Sequence, residues 1–205
     1  MPRSGKRGSV QEVTGFVKQV KRESGRKARR FKIKKQKMEN TRHTGGQGVA
    51  LVECLNAALD KWRIRWDIQE GEEGSVTFLE KDFSHKPTLN EIKLVVTDWY
   101  NEQIDRKILT GFTYEGVPVW LSMENQMNIK AAYDLAVQNG GAGLPVTFKF
   151  GTDTEPVYKE FADVETFKGF YLAAVAYVQQ CYTAGWREKD AIRWSDYEAA
   201  LSGAK

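Results

Sequence analysis

Apolar and polar residues alternate in three pairs of short segments, the period at which the side chains of a β-strand share one face. The first pair is 62–68 (WRIRWDI) and 76–78, separated by a turn rich in Gly and Glu. The second is the continuous stretch 110–121 (TGFTYEGVPVWL), and the third joins 144–150 (LPVTFKF) to 157–161. The two members of each pair are close in sequence, so three antiparallel hairpins are predicted.

A stretch with helical periodicity follows each predicted hairpin. Thr88 and Glu91 form a capping box before the first of these stretches, and apolar residues then recur every three or four positions. The predicted helices are 89–108, 122–139 and 164–184, the last closed by Gly185, together with a short helix at 49–61 and another that begins at Ser195 with Glu198 as its capping partner. The predicted fold class is α+β: antiparallel hairpins each followed by a helix, in three strand-strand-helix units, with the helices on one face of the sheet.

Charge divides the chain into two parts. Residues 1–44 hold 15 Lys or Arg and 3 Glu, a net charge of +12. Residues 45–205 hold 16 Lys or Arg and 24 Asp or Glu, a net charge of −8. We therefore predict a basic N-terminal arm with a hinge over 1–48, followed by an α+β body over 49–205.

The arm carries the strongest signal for a binding surface. A capping box and apolar spacing predict a short amphipathic helix over 9–23, and the composition of 41–48 (TRHTGGQG) predicts a flexible hinge. Between them, Phe31 and Ile33 lie at strand spacing within a run of eight basic side chains. The candidate binding residues are Arg26, Lys27, Arg29, Arg30, Lys32, Lys34, Lys35 and Lys37.

Two kinds of partner fit these basic side chains. Eight contacts to phosphates would give a salt slope of about −7 on duplex DNA. The same side chains are suited to docking onto an acidic protein neighbour, as assembly arms do. Because no groove-reading motif is present, nucleic-acid binding by the arm is expected to be non-specific.

Residues that commonly carry catalysis are not arranged for it. His43 and His85 lie in predicted loops, without a cysteine or a paired carboxylate at ligand spacing. Ser122 and Ser195 precede helices and are interpreted as caps, because neither lies in a nucleophile elbow. The sequence therefore predicts no enzymatic activity, no cofactor and no metal site.

The cysteines and the hydropathy pattern indicate a protein made in the cytoplasm. Cys54 and Cys181 are far apart, in stretches that we interpret as apolar helix faces, and are predicted to be reduced, buried thiols. No run of 18 apolar residues occurs, so no membrane partner is expected.

Several polar and aromatic residues are predicted to be buried. A helical wheel of 122–139 places Asn125 and Asn128 on an inward side together with the alanines of the helix. The helix is therefore predicted to be packed on two sides, with both amides buried and hydrogen-bonded. Trp120 is assigned to the core. Trp186 and Trp194 flank a polar connection, where one covers the edge of the core and the other faces a partner; core cover is favoured.

The run GFTYEGVPVWLSMENQMNIKAAYDLA, followed by LPVTFKF, GTDTEPVYKEF and FYLAAVAYVQQCYTAGWREKDAI, resembles a domain-of-unknown-function family found in tailed-phage and prophage genes for tail and virion components. The likeness covers 109–192 and consists of two hairpins, each leading into a helix, the second of which ends near Lys189 and Ile192. The resemblance implies a phage structural or assembly protein without enzymatic activity, and it supplies no catalytic residues.

The resemblance and the charge division together lead to two functional hypotheses. The first is a non-enzymatic virion structural or assembly protein of a tailed bacteriophage, in capsid or tail, made in the host cytoplasm and assembled with other virion proteins. Its basic arm would dock onto neighbouring subunits or the packaged genome. The alternative is a nucleic-acid-binding protein with a ribosomal-protein-like basic tail, whose partner is DNA or RNA.

Overall fold

The structure is a computed structural model, and it describes residues 41–204. This part of the chain is mixed α/β, with antiparallel hairpins followed by helices, as predicted. Its strands and helices are, in chain order, β1 (His43–Gly46), β2 (Val52–Asn56), β3 (Lys61–Glu70), β4 (Ser75–Phe83), α1 (Leu89–Thr110), β5 (Phe112–Tyr114), β6 (Val117–Val119), α2 (Met123–Gln138), β7 (Val146–Gly151), β8 (Pro156–Phe161), α3 (Val164–Asp190) and α4 (Trp194–Gly203). The predicted helix over 9–23 lies outside the described residues.

The first four strands form one antiparallel sheet in the order β1-β4-β3-β2. Trp62, Ile64 and Trp66 point inward from β3, and Leu79, opposite Trp66, does so from β4. Val76 and Phe78 are buried on the opposite face, where the Arg65 guanidinium lies over the Phe78 ring. This face also carries charged side chains. The predicted hairpin is therefore the centre of a larger sheet.

Two predictions in this region were wrong. The segment 49–61, predicted as a helix, contains β2 and a single 3₁₀ turn, because Val52 pairs with Ile64 of β3 and is buried beside it. The predicted hinge 41–48 contains β1, an edge strand paired with β4. Its glycines suit that position, since a β-carbon on Gly45 would come within 3.0 Å of the Phe78 ring. Cys54 accordingly lies half-buried in a strand and not on a helix.

Helix α1 belongs to two hydrophobic cores. Its first half places Ile92, Val95 and Val96 against the four-stranded sheet. Its second half places Ile104 and Ile108 in another cluster, which is built from the two later hairpins, α2 and α3. The helix begins at Thr88 with the predicted capping box, in which both reciprocal hydrogen bonds are present.

The second core is dominated by aromatic rings. Phe161, Phe167 and Phe170 are fully buried, and the Phe161 and Phe170 rings stack with their centroids 5.0 Å apart. Hairpin β5–β6 turns through Glu115 and Gly116, both with positive φ, as a two-residue turn between strands requires. The inner faces of the two later hairpins pack on α3 through the aromatic rings of this second core.

Helix α3 continues past its predicted end. Gly185 lies inside the helix and is buried, because it allows α1 to approach: a β-carbon there would overlap with Cγ1 and Cδ1 of Ile104. A glycine in a helix can mark its end or a close contact, and here it marks the contact. Cys181, one turn before it, is a buried free thiol, as predicted.

The C-terminal helix α4 covers the edge of the sheet core. The Tyr197 hydroxyl donates to the Arg65 carbonyl oxygen at 2.9 Å, and Trp194 packs beside it, as predicted for a core-covering tryptophan. The helix begins at Trp194, with Arg193 as its N-cap and no side-chain cap, so the prediction that Ser195 starts it was wrong. Trp186 is 52% exposed and stacks on Tyr182.

The capping box at the start of α1 predicts a pH-dependent stability. The backbone N–H and the hydroxyl of Thr88, together with the ring of His85, hold the pKa of Glu91 at about 2, below its usual value of 4.5. A carboxylate with a lowered folded pKa stabilises the fold above its unfolded pKa and loses that effect as the pH falls towards the folded pKa. Urea denaturation of the wild type between about pH 5 and pH 2 should therefore show falling stability.

Glu91→Gln is the matched variant for this effect. It should be less stable than the wild type at neutral pH and should show a weaker dependence on pH over the same acidic range. Equal pH dependence of the two proteins would mean that Glu91 is not the titrating group.

Candidate functional site

A groove with a volume of about 910 Å³ lies between the two later hairpins. One wall is formed by β6 and the first turns of α2, and the other by β7 and the turn that follows it. The buried side chains of Val119, Ile129 and Phe150 line it, together with polar groups at its rim. The volume is at the upper end of the range for ligand-binding sites.

The groove exists because β6 and β7 are neighbours that do not pair. The two hairpins form separate two-stranded sheets, and in the described part of the chain no ladder joins them. Proline explains the β6 side. Pro118 is opposite Thr113, in a pair whose backbone groups face away from the hairpin. A backbone N–H at this position would therefore point outward, and proline has none.

The β7 side, in contrast, has a complete unpaired edge. The Thr152 N–H donates to the Glu155 carbonyl oxygen at 3.2 Å, which fixes the alternation of the β7–β8 ladder. Counting back from that bond, the N–H and C=O groups of Thr147, Lys149 and Gly151 point away from β8. All three residues line the groove, and β6 lies beside them without a ladder between the two strands.

The polar entrance of α2 forms the opposite rim. The Ser122 hydroxyl caps the helix by accepting from the Asn125 N–H at 3.1 Å, as predicted for this serine. The Asn125 side-chain amide donates to the Trp120 carbonyl oxygen at 2.8 Å, the predicted kind of bond to the preceding hairpin, although the residue is half-buried. These bonds fix the angle at which the helix leaves the hairpin.

The predicted burial of Asn128 was wrong. Asn128 is exposed on the wall of the groove and makes no side-chain hydrogen bond within the described residues. The reason is that α2 is packed on one side only, through residues such as Ile129 and Ala136, whereas Met127 is 64% exposed. The helical-wheel prediction assumed that another element covers the side of α2 that carries Asn128, and none of the described elements does so.

Trp120 was also wrongly assigned to the core, because it is 50% exposed at the rim. It stands between Val119 and Leu121, which are both buried. Extended backbone turns successive side chains to opposite sides, so burial of these two neighbours directs Trp120 outward. The groove thus has at its rim the exposed indole of Trp120, the side-chain amide of Asn128 and the edge of β7, which pairs with no strand of the described residues.

The charged face of the four-stranded sheet is a second surface, and its charges are paired. Arg63 donates to Asp82 at 2.6 Å, which lowers the pKa of that carboxyl group. Arg65 contacts both Glu53 and Glu80. With its guanidinium groups occupied by carboxylates, this face offers less to an anionic partner than its arginine content suggests.

Each of the described histidines lies near one carboxylate, Glu80 for His43 and Glu91 for His85, and two side chains are too few to form a metal site. His43 lies in β1 and not in the predicted loop, and His85 contacts Glu91 at 2.9 Å. Among the residues that the structure describes, there is no group of three His, Cys, Asp or Glu side chains that could hold a metal ion. None of the described helices is both long and apolar enough to cross a membrane.

The eight basic side chains predicted as the binding surface lie outside the described residues, so the structure bears on neither of the two partners considered for them. They are Arg26, Lys27, Arg29, Arg30, Lys32, Lys34, Lys35 and Lys37. The groove residues, in contrast, were not predicted as a site. The proline in β6 was the signal in the sequence that pointed to an unpaired edge.

Hairpins that each lead into a helix, around a shared aromatic core, define a small mixed α/β domain. Residues 91–203 match the family model of a domain of unknown function, DUF4376, and this match covers more than half of the chain. The chain therefore belongs to the DUF4376 family. No curated protein and no solved structure matches it. The matched residues include 109–192, and the description of the family names no activity.

Proposed function

We propose that this protein is a non-enzymatic structural or assembly component of a tailed-phage virion, made in the bacterial cytoplasm and incorporated with other virion proteins. The observation that carries the proposal is the division of charge between an arm of +12 and a body of −8. Opposite charges on two parts of one chain favour contacts between copies, or between a copy and a partner of either sign. The resemblance of 109–192 to phage virion proteins supplies the biological setting.

The exposed apolar surface of α2 and α3 supports a role in assembly. Met123 and Met127 are 72% and 64% exposed, and Leu172 and Val175 of α3 are exposed as well. Between the two helices, a shallower groove of about 310 Å³ has both Met123 and Val175 in its lining. Clustered exposed apolar side chains are typical of surfaces that bind other proteins.

The direct test is the composition of purified particles. Mass spectrometry and cryo-electron microscopy of virions from the phage or prophage that carries the gene should detect the protein in a fixed copy number. A variant lacking residues 1–40 should be incorporated at a reduced level, because the arm would no longer contact its neighbour. Absence of the intact protein both from particles and from assembly intermediates would reject the proposal.

A salt titration separates this function from nucleic-acid binding. If the arm binds DNA or RNA, the affinity of the full chain for a duplex should fall with salt concentration with a slope of about −7 for eight contacts. Replacing the eight basic residues with glutamine should abolish that binding. If the full chain shows no affinity for nucleic acid at low salt, the protein partner is favoured and the alternative function fails.

A further inference from the structure

The outward face of α3 carries no charge over most of the length of the helix. Residues 169–186 contain no Lys, Arg, Asp or Glu, although charged residues make up 28% of the chain. A helical segment of this length extends about 27 Å. One side of it is buried in the second core, through residues such as Ala174 and Cys181. The other side is exposed, and the solvent side of a surface helix ordinarily carries charged side chains. Its composition is that of a surface covered by another molecule.

Four exposed side chains form a stripe along this face. Leu172, Val175, Gln179 and Trp186 recur at intervals of three, four and seven residues, at which side chains of an α-helix share one side. The same intervals form the contact seam of a coiled coil. Met123 of α2 is exposed beside the stripe, on the other wall of the shallow groove between α2 and α3. A helix that lies along the stripe would therefore contact α3 directly and α2 at its edge.

Charge favours a second copy of the chain as the partner on this face. Residues 45–205 carry a net charge of −8, so most surfaces of this part of the chain repel the same part of another copy. The uncharged face of α3 does not. Gln179 lies near the middle of the stripe, and its side-chain amide can both donate and accept a hydrogen bond, so it can pair with the same group of a second copy.

The two ends of the uncharged segment favour an antiparallel arrangement. Glu165 and Lys168, which contact each other at 3.5 Å, precede it, and Arg187 and Asp190 follow it. In a parallel pair of α3 helices, each of these charges would lie opposite its own copy. In an antiparallel pair, Lys168 can pair with Asp190 of the second copy, and Glu165 can pair with Arg187.

The size of the face is sufficient for a specific dimer. The two helices α2 and α3, each about 10 Å in diameter, present roughly 500 Å² over a length of about 27 Å. A symmetric pair would therefore bury about 1,000 Å² in total, which reaches the size of specific protein–protein interfaces.

We propose that the chain forms a symmetric dimer in which the uncharged face of α3 packs antiparallel against the same face of a second copy, with Gln179 close to the two-fold axis. Leu172 of each copy then lies towards the Trp186 end of the other helix. The inference rests on the proposed function, because it names a second copy as a partner of a chain that assembles.

The test measures the mass of the full chain in solution by sedimentation equilibrium over a range of protein concentrations. Sodium chloride at about 1 M screens contacts of the basic arm and has less effect on buried groups. The wild type is expected to approach twice the chain mass of 23.3 kDa as the concentration rises. Gln179→Glu buries two like charges beside each other and should raise the dissociation constant of the dimer at least about tenfold.

Gln180→Glu is the matched control, because it makes the same chemical change on the next residue, which is also exposed but points away from the stripe. Its dissociation constant should equal that of the wild type. Circular dichroism should show that both variants are folded. At a concentration at which the chain is monomeric, substitutions on the stripe should leave the free energy of unfolding unchanged, because they act on the dimer alone.

Cross-linking checks the orientation of the two helices. In a Cys54→Ser background, Gln179→Cys should be linked to its own copy by a short bifunctional thiol reagent. Leu172→Cys should not be linked, because the two copies of this residue lie at opposite ends of an antiparallel pair. The Cys54→Ser protein itself is the control for the remaining cysteine, Cys181, which is buried.

Three results would overturn the inference: a chain that is monomeric at every concentration, equal dimerisation of Gln179→Glu and Gln180→Glu, or equal linking of Leu172→Cys and Gln179→Cys. A chain whose α3 face binds only a different virion protein gives the first of these results. Incorporation into particles is measured separately, so failure of the dimer and failure of the proposed function are distinguishable.

Discussion

Replacing Phe170 with alanine is expected to lower the free energy of unfolding by about 3–5 kcal/mol, as measured by urea denaturation. Phe170 is fully buried on α3, and its ring lies 5.0 Å from that of Tyr114 in β5 and 5.2 Å from that of Phe150 in β7. It therefore holds both later hairpins against the helix. Because domains of this size have total stabilities of about 5–15 kcal/mol, the loss is a large share of the total.

Leu172→Ala is the matched control for this prediction. Leu172 is two residues away on the same helix and is 52% exposed, so its replacement should change the free energy of unfolding by about 0.5 kcal/mol or less. Similar losses in the two variants would contradict the assignment of Phe170 to the centre of the second core.

Gly185→Ala should destabilise the protein by about 1–3 kcal/mol, although alanine is the better helix former. The added β-carbon would overlap with Ile104, whose branched side chain has little rotamer freedom in a helix. α1 and α3 would have to separate, which disturbs the contact between them. Thermal or urea denaturation measures the effect, and the far-ultraviolet circular dichroism of the folded variant should be unchanged.

Gly169 provides the opposite result on the same helix. A β-carbon there meets no atom within 4 Å, so Gly169→Ala should stabilise the protein by about 0.5–1 kcal/mol through helix propensity alone. If Gly185→Ala were as stabilising as Gly169→Ala, the close approach of α1 and α3 at this position would not exist.

The sequence predicted the three hairpins and the helices that follow them well, because each has a strong local signal. Alternation marks β3, and the capping box at Thr88 marks the start of α1. β1 has no such signal. Its sequence, HTGG, reads as a loop, and its pairing with β4 supplies the stability that local propensity does not. β2 was mistaken for a helix because its five residues, VECLN, are too few to show a period that distinguishes a strand from a helix.

The candidate site was largely beyond prediction from the sequence. A groove between two sheets depends on how the hairpins sit on α3, and no local pattern records that. Two signals were nevertheless present: Pro118 marks an edge that does not pair, and Trp120 alternates with two apolar neighbours. The helical wheel of α2 was correct in placing an alanine, Ala136, inward, but it could not show that no other element covers the side with Asn128 in the described part of the chain.

The division of α1 between two cores has a consequence for the region that the family model matches. The match starts at residue 91, within α1, and includes α4, yet Ile92, Val95 and Tyr197 pack on the sheet that precedes it. A fragment of residues 91–203 would therefore expose this apolar surface to water, and we expect it to be less stable than a chain that keeps the four-stranded sheet.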